Sequence, residues 1–114
     1  MSEPEKYRAS YLTVSQAYDL NIACRPLARF GYGTFHVGSS LTKPDYHDVD
    51  LRCMMPDEEY DRLLTLFAYD GILFLNTAIS EWVASRTGLP IDFQFQRATE
   101  ANEKFTGRRS AVGH

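Results

Sequence analysis

The chain has 114 residues, of which 44% are apolar and 24% are charged, and its net charge at pH 7 is −3. These values are typical of one globular domain, and they argue against a disordered or fibrous chain and against a catalytic domain joined to a full substrate domain. The charge also lacks the basic excess of a protein that binds nucleic acid mainly through its phosphates. Bulk electrostatics therefore argue against general DNA binding.

The two cysteines, Cys24 and Cys53, lie in apolar segments and lack the spacing of a zinc site. We therefore expect two buried thiols rather than a disulfide or a metal site. No apolar run approaches the ~20 residues that a membrane-spanning helix needs. The expectation is a cytoplasmic protein that has no membrane partner.

The first predicted element is a helix. Thr13 or Ser15 can cap its N-terminus, and the apolar pattern that follows ends or bends near Arg25, because Pro26 interrupts it. Two glycines then break the chain before the next apolar run.

Two short strands are predicted after this helix. The β-branched and aromatic run Thr34–Val37 ends at Gly38 and predicts the first strand. A polar loop from Ser39 to His47 leads into Asp48–Met54, which alternates polar with apolar residues over its first six positions. This segment predicts a second strand with one polar face.

Two helices separated by a turn are predicted next. Acidic residues after Pro56 favour a helix N-terminus, and apolar residues then recur at helical spacing. Asp70-Gly71 predicts a turn, after which a second apolar stripe containing Trp82 ends at Gly88. We expect that stripe, with Trp82, to pack in the core.

The strict alternation of Ile91–Gln96 is the clearest strand signal in the chain, and it places Asp92 on the polar face. Apolar content falls sharply from Ala98 onwards. We therefore expect one domain over residues 1–97 and a loose C-terminal tail over residues 98–114.

Three aspartates form the most informative pattern. Asp48 and Asp50 are two positions apart in one predicted strand, so their side chains point the same way about 6.6 Å apart. If the strand of Asp92 lies beside them with its polar face matched, three carboxylates converge, and a cation would offset their repulsion. Mg²⁺ takes one or two carboxylates together with phosphate oxygens and waters. The pattern therefore predicts a metal site at Asp48, Asp50 and Asp92.

A predicted phosphate-binding turn precedes these acids. Gly38 lets the backbone approach a phosphate closely, because a Cβ atom at that position would collide with it. Ser39 offers a hydroxyl and an amide donor, and Ser40 offers another. We therefore expect Gly38, Ser39 and Ser40 to bind the phosphates of a nucleotide.

Val37-Gly38-Ser39-Ser40-Leu41 followed by Asp48-Val49-Asp50-Leu51 resembles the GS…DxD signature of the nucleotidyltransferase superfamily, especially its minimal single-domain members. Asp92 resembles the third acid of that family. The resemblance covers residues 35–96 and implies an α/β (α+β) fold with a nucleotidyltransferase-like mixed β-sheet flanked by helices. It also implies a nucleoside triphosphate such as ATP as substrate, with Mg²⁺ or Mn²⁺. The loop after Ser40 lacks the arginine-glycine pair that many minimal members carry.

The resulting expectation is transfer of a nucleotidyl group to an acceptor hydroxyl, with Asp92 as metal ligand and base. The acceptor is left open between a protein, RNA and a small molecule, and the resemblance implies a helical protein partner or a homo-oligomer. One alternative is a catalytically idle member that acts as a nucleotide sensor or an antitoxin-like interaction module. Another is a metal-dependent nuclease that uses the same acids.

Overall fold

The computed structural model describes residues 11–114 as a mixed α/β fold with one four-stranded sheet. The helices are α1 (Val14–Cys24), α2 (Ser39–Thr42), α3 (Asp57–Thr87) and α4 (Ala98–Lys104), with a 3-10 helix at Arg25–Phe30 after α1. The strands are β1 (Thr34–Val37), β2 (Val49–Met55), β3 (Ile91–Arg97) and β4 (Ser110–Val112).

The strand order in the sheet is β3-β2-β1-β4. Strand β1 is antiparallel to both of its neighbours, β2 and β4, whereas β2 and β3 are parallel. The mixed sheet with helices that the sequence predicts is therefore confirmed at this level of detail.

The helices α1 and α3 cover the apolar face of the sheet. Alternate residues of β2, including Leu51 and Cys53, are fully buried there beside Phe93 of β3. Each large apolar side chain buried in this way stabilises the fold by about 1.5–3 kcal/mol. Both cysteines are buried thiols, as expected, and burial raises the pKa of Cys24 to about 12 and that of Cys53 to about 11.

The first helix confirms its predicted cap. The side chain of Thr13 accepts a hydrogen bond from the Gln16 amide, while the Gln16 side chain accepts one from the Thr13 amide. This reciprocal capping box satisfies two of the free amides at the helix N-terminus. The helix ends at Cys24, before Pro26, where the sequence predicted its end.

The predicted break between two helices is confirmed within Asp57–Thr87, but its predicted position at Asp70-Gly71 is wrong, because both residues are helical. The backbone instead departs from helical geometry at Ala68, whose φ is 59° and ψ is 174°. A glycine inside a helix costs only about 1 kcal/mol relative to alanine, which the packing of the flanking segments offsets. The kink therefore lies three positions before the glycine.

Trp82 also departs from the sequence prediction. The indole is 40% exposed, and the guanidinium of Arg86 lies over its ring with 3.9 Å between the guanidinium carbon and the ring centroid. Val83 of the same stripe is fully buried. Only part of the apolar stripe thus packs in the core.

Side chains of α3 satisfy the outer edge of β3. The hydroxyl oxygen of Ser80 accepts a hydrogen bond from the Phe93 amide at 2.8 Å, and Oδ1 of Asn76 accepts one from the Phe95 amide at 3.1 Å. An open strand edge is a site for unwanted pairing with other chains. Here the helix occupies that edge and holds β3 in place.

The expected loose tail from residue 98 onwards is instead built into the fold. It forms α4 and then β4, which pairs with the free edge of β1. The guanidinium of Arg109 donates to the carbonyl oxygens of Ala101 and Phe105 at 3.1 and 3.0 Å. A sheet edge offers backbone hydrogen bonds to any extended chain, so this strand needs little apolar content.

By length and composition α3 is long and apolar enough to cross a membrane. The core helix of a soluble protein passes the same test, although only 6% of the most apolar window of α3 is buried. The expectation of no membrane partner therefore stays a prediction.

Candidate functional site

Two of the three predicted acids lie side by side. Asp50 of β2 is paired in register with Asp92 of β3, and directly paired residues of neighbouring strands point to the same face. That face is the one opposite α1 and α3, since the alternate residues Leu51 and Phe93 are in the core. The predicted adjacency of these two strands is therefore confirmed.

The electrostatic environment of Asp50 disfavours its charged form. Partial burial raises the pKa of the Asp50 carboxyl, and although Arg52 lowers it, the charges of Asp92 and Asp48 raise it further. A hydrogen bond between the two side chains of Asp50 and Asp92 acts in the same direction. A carboxyl in this environment gains from a cation or a shared proton.

Gly38 lies directly against Asp50. The glycine joins β1 to α2 with φ of 81° and ψ of −160°, a conformation that L side chains rarely adopt. A Cβ atom at Gly38 would lie 2.3 Å from Oδ2 of Asp50. The turn and the carboxylate therefore form one packed unit, and glycine is required on two independent grounds.

Ser39 and Ser40 have different environments. Ser39 is partly exposed at the start of α2, whereas Ser40 is fully buried and its hydroxyl contacts Nε2 of His36. Burial lowers the pKa of His36 to about 4, so the imidazole is neutral near pH 7. The hydroxyl of Ser40 thus shapes the turn from within, and Ser39 is the serine that solvent reaches. The sequence did not assign His36 a role.

Asp48 lies outside the strand in which the sequence placed it. It is exposed, one residue before β2, and the strand begins at Val49, whose amide donates to the Pro90 carbonyl at 2.8 Å. The two-residue spacing of Asp48 and Asp50 therefore does not place both on one regular strand face. The charge of Asp48 still raises the pKa of Asp50, so Asp48 lies close to the site.

Arg52 is the site residue that the sequence analysis did not identify. Its side chain is 6% exposed, and its Nη2 lies 3.3 Å from Oδ2 of Asp92. Its Nη1 donates to the carbonyl oxygens of Asp92 at 2.8 Å and of Leu51 at 3.0 Å, and its guanidinium lies over the ring of Phe105. The sequence signal for Arg52 was its position two residues after Asp50 on β2, which places both side chains on the same face of the strand. The buried cation fixes the position of Asp92.

The acidic side chains of the site do not form a closed metal site within the described residues. Within residues 11–114, no group of three His, Cys, Asp or Glu side chains is arranged to hold a metal ion. Mg²⁺ needs only one or two carboxylates when phosphate and water oxygens complete its shell. The pair Asp50 and Asp92 supplies two carboxylates on one face of the sheet.

A groove of about 470 Å³ borders Asp92 on the side away from Gly38. It lies between α3 and β3, and Tyr69, Leu73, Thr77 and Glu81 are among its lining residues. Asp92 and Gln94 form part of its β3 wall. A molecule in this groove would be in reach of the Asp92 carboxylate. We call it the α3–β3 groove.

Comparisons of this chain with models of known families, with curated proteins and with solved structures found no significant match. The functional assignment therefore depends on the residues and geometry of the site.

Proposed function

We propose that the chain is a metal-dependent nucleotidyltransferase, which moves a nucleotidyl group from a nucleoside triphosphate such as ATP to an acceptor hydroxyl. The observation that supports this most is that Asp50, which lies directly against Gly38, is the register neighbour of Asp92. This arrangement joins a carboxylate pair to a turn that has no Cβ atom, and nucleotidyl transfer needs both features.

Gly38 and Ser39 bind the triphosphate in this proposal. The glycine lets the backbone of the turn lie directly against the Asp50 carboxylate, and Ser39 donates from its partly exposed hydroxyl. Ser40 supports the turn through His36 instead of contacting phosphate with its hydroxyl. Lys43 follows α2 and is exposed, so a cation is also present near the mouth of the site.

The acids orient the reacting groups and move the proton. Asp50 and Asp92 hold the metal, with Asp48 joining from the loop before β2, and Mg²⁺ or Mn²⁺ supplies charge neutralisation of the phosphates. Asp92 accepts the proton of the acceptor hydroxyl as its oxygen bonds to the α-phosphorus. The bond between that phosphorus and the bridging oxygen breaks, and pyrophosphate leaves. Arg52 keeps Asp92 aimed at the acceptor.

The α3–β3 groove is the proposed acceptor side, because it is next to Asp92 and lies away from the triphosphate turn. The acceptor class stays open between a protein, RNA and a small molecule. Glu81 and Asp92 give the groove an acidic lining, which disfavours the phosphates of RNA. A helical protein partner or a second copy of the chain fits the same side of the molecule.

The test uses ATP labelled at the α-phosphate, with Mg²⁺ or Mn²⁺ and a cell extract as the source of acceptors. Wild-type protein should release pyrophosphate and label an acceptor, and Asp50→Asn and Asp92→Asn should each lose this activity. Asp45→Asn is the matched control, since Asp45 is an exposed loop aspartate outside the site. Equal activity in Asp50→Asn and wild-type protein would contradict the proposal.

A second function is favoured by the contact between Arg52 and Asp92. A buried cation that already pairs with the third acid suits a catalytically idle protein, which senses a nucleotide or binds another protein. Such a protein would bind nucleotide without releasing pyrophosphate, and Asp92→Asn would leave that binding intact. Cleavage of nucleic acid without any triphosphate would instead support the nuclease alternative.

A further inference from the structure

The segment 65–74 of α3, which we call the knuckle, surrounds the kink at Ala68. Its residues from Thr65 to Asp70 are all exposed. Five of its large side chains keep between 44% and 72% of their surface exposed: Leu66, Phe67, Tyr69, Leu73 and Phe74. Asp70 is its one charged residue. Apolar surface that is contiguous to this degree marks an interaction site in a folded protein.

The backbone of the knuckle is strained at the same place. Ala68 has φ of 59° and ψ of 174°, a region that is almost restricted to glycine. Strain of this kind persists where surrounding contacts hold the chain, yet Ala68 and its two neighbours are exposed. We therefore expect the contacts that hold this kink to come from outside residues 11–114 of the same chain.

The knuckle and the α3–β3 groove are adjacent. Tyr69 and Leu73 belong to both, so the groove begins where the knuckle ends. A cavity of about 150 Å³ is enough for a benzene-sized ring. The groove, at about 470 Å³, has room for an aromatic side chain such as that of Phe74 from another copy.

We propose that the knuckle is the interface of a homodimer, in which the α3 helices of two copies pack antiparallel about a two-fold axis and each knuckle enters the groove of the other copy. A two-fold axis requires a surface that is complementary to itself, and the knuckle with the groove beside it meets that condition. The occupant of the apolar surface is thus a second copy of this chain.

The available area agrees with a dimer. A fully exposed large apolar side chain has about 200 Å² of surface. Because each of the five keeps between 44% and 72% of its surface exposed, together they offer roughly 600 Å². A stable interface takes about 600–1,000 Å² from each partner, so the knuckle reaches the lower end of that range. Because the groove also borders Asp92, the partner's knuckle would occupy part of the proposed acceptor side, and an acceptor would have to share the groove with it.

The test is sedimentation equilibrium of the full chain at micromolar concentrations. Wild-type protein should have twice the mass of one chain. Phe74→Asp should raise the dissociation constant of the dimer at least about 100-fold, because each dimer loses two aromatic anchors and gains two charges at a desolvated surface. Since Phe74 is 72% exposed, circular dichroism should show an intact fold. Thr77→Arg, which fills the groove and leaves the knuckle unchanged, should dissociate the dimer as well.

Val14→Asp is the matched control, because Val14 is 90% exposed on α1 and lies outside the knuckle and the groove. It should leave the mass of the dimer unchanged. A wild-type monomer at all these concentrations would overturn the proposal, as would a dimer that dissociates in Val14→Asp but not in Phe74→Asp. A wild-type monomer that co-sediments with phosphatidylcholine vesicles would overturn it in favour of a lipid surface.

Discussion

Gly38 and Asp50 are in such close contact that a Cβ atom on the glycine would lie 2.3 Å from the carboxylate oxygen Oδ2. The glycine also has a positive φ of 81°. The turn proposed to bind phosphate and the proposed metal ligand therefore cannot be changed independently.

Gly38→Ala tests this dependence. The substitution combines backbone strain with a clash at Asp50, so we expect the free energy of unfolding to fall by about 1–3 kcal/mol. We also expect weaker binding of ATP with Mg²⁺, because the carboxylate must move. Urea unfolding and calorimetry measure the two effects. Gly107→Ala is the control, since no atom lies near its Cβ position and its φ is not positive; it should change neither quantity.

The buried His36 predicts a dependence of stability on pH. Burial lowers its pKa from the ordinary 6.5 to about 4, so between these values the unfolded chain binds a proton that the folded protein does not. The stabilisation is complete above pH 6.5 and is lost as pH falls through about 4. His36→Gln, which can still bond to Ser40, should lose less stability over this window. Parallel curves for the two proteins in urea unfolding would contradict the assignment.

Arg52→Met tests how much the pairing of Arg52 with Asp92 contributes to the free energy of unfolding. Because the Asp92 side chain is 38% exposed, water compensates in part, and we expect a loss of about 1–2 kcal/mol in unfolding free energy. The pKa of Asp50 should rise further, since Arg52 lowers it, and carboxyl NMR titration measures this change. Arg62→Met is the control, because Arg62 is 71% exposed and pairs with Glu59 on the surface. It should leave the pKa of Asp50 unchanged.

Ala68→Gly should stabilise the protein, whereas glycine elsewhere in the helix should not. Glycine adopts the backbone angles of Ala68 without strain, so we expect a gain of about 1 kcal/mol in unfolding free energy. Ala78→Gly replaces an exposed alanine at a regular position of α3 and should cost about 1 kcal/mol. Thermal unfolding measures both. A loss of stability in Ala68→Gly would show that the kink is not strained.

The local pattern of the sequence predicted most of the framework. Alternation located the strand at Ile91, a β-branched and aromatic run located the strand at Thr34, and the Thr13 cap located α1, because these are properties of short segments. The strand β4 was missed, since it is held by backbone pairing with β1 that leaves no apolar pattern. The kink at Ala68 was misplaced because alanine carries no local signal for a positive φ.

The candidate site could be predicted only in part for a similar reason. The aspartates at 50 and 92 were placed on polar strand faces, and their adjacency followed once β2 and β3 paired in parallel. The contact of Arg52 with Asp92 could not be read from the sequence, because it spans two strands and depends on their register. The burial of Ser40 against His36 depends likewise on how the turn folds back on β1.

The most direct test of the central claim is a crystal structure with a non-hydrolysable triphosphate and Mn²⁺, whose anomalous scattering locates the ion. We predict an ion bound by the carboxylates of Asp50 and Asp92, with the triphosphate against Gly38 and Ser39. An ion located elsewhere, or a triphosphate bound while Arg52 alone pairs with Asp92, would contradict the account.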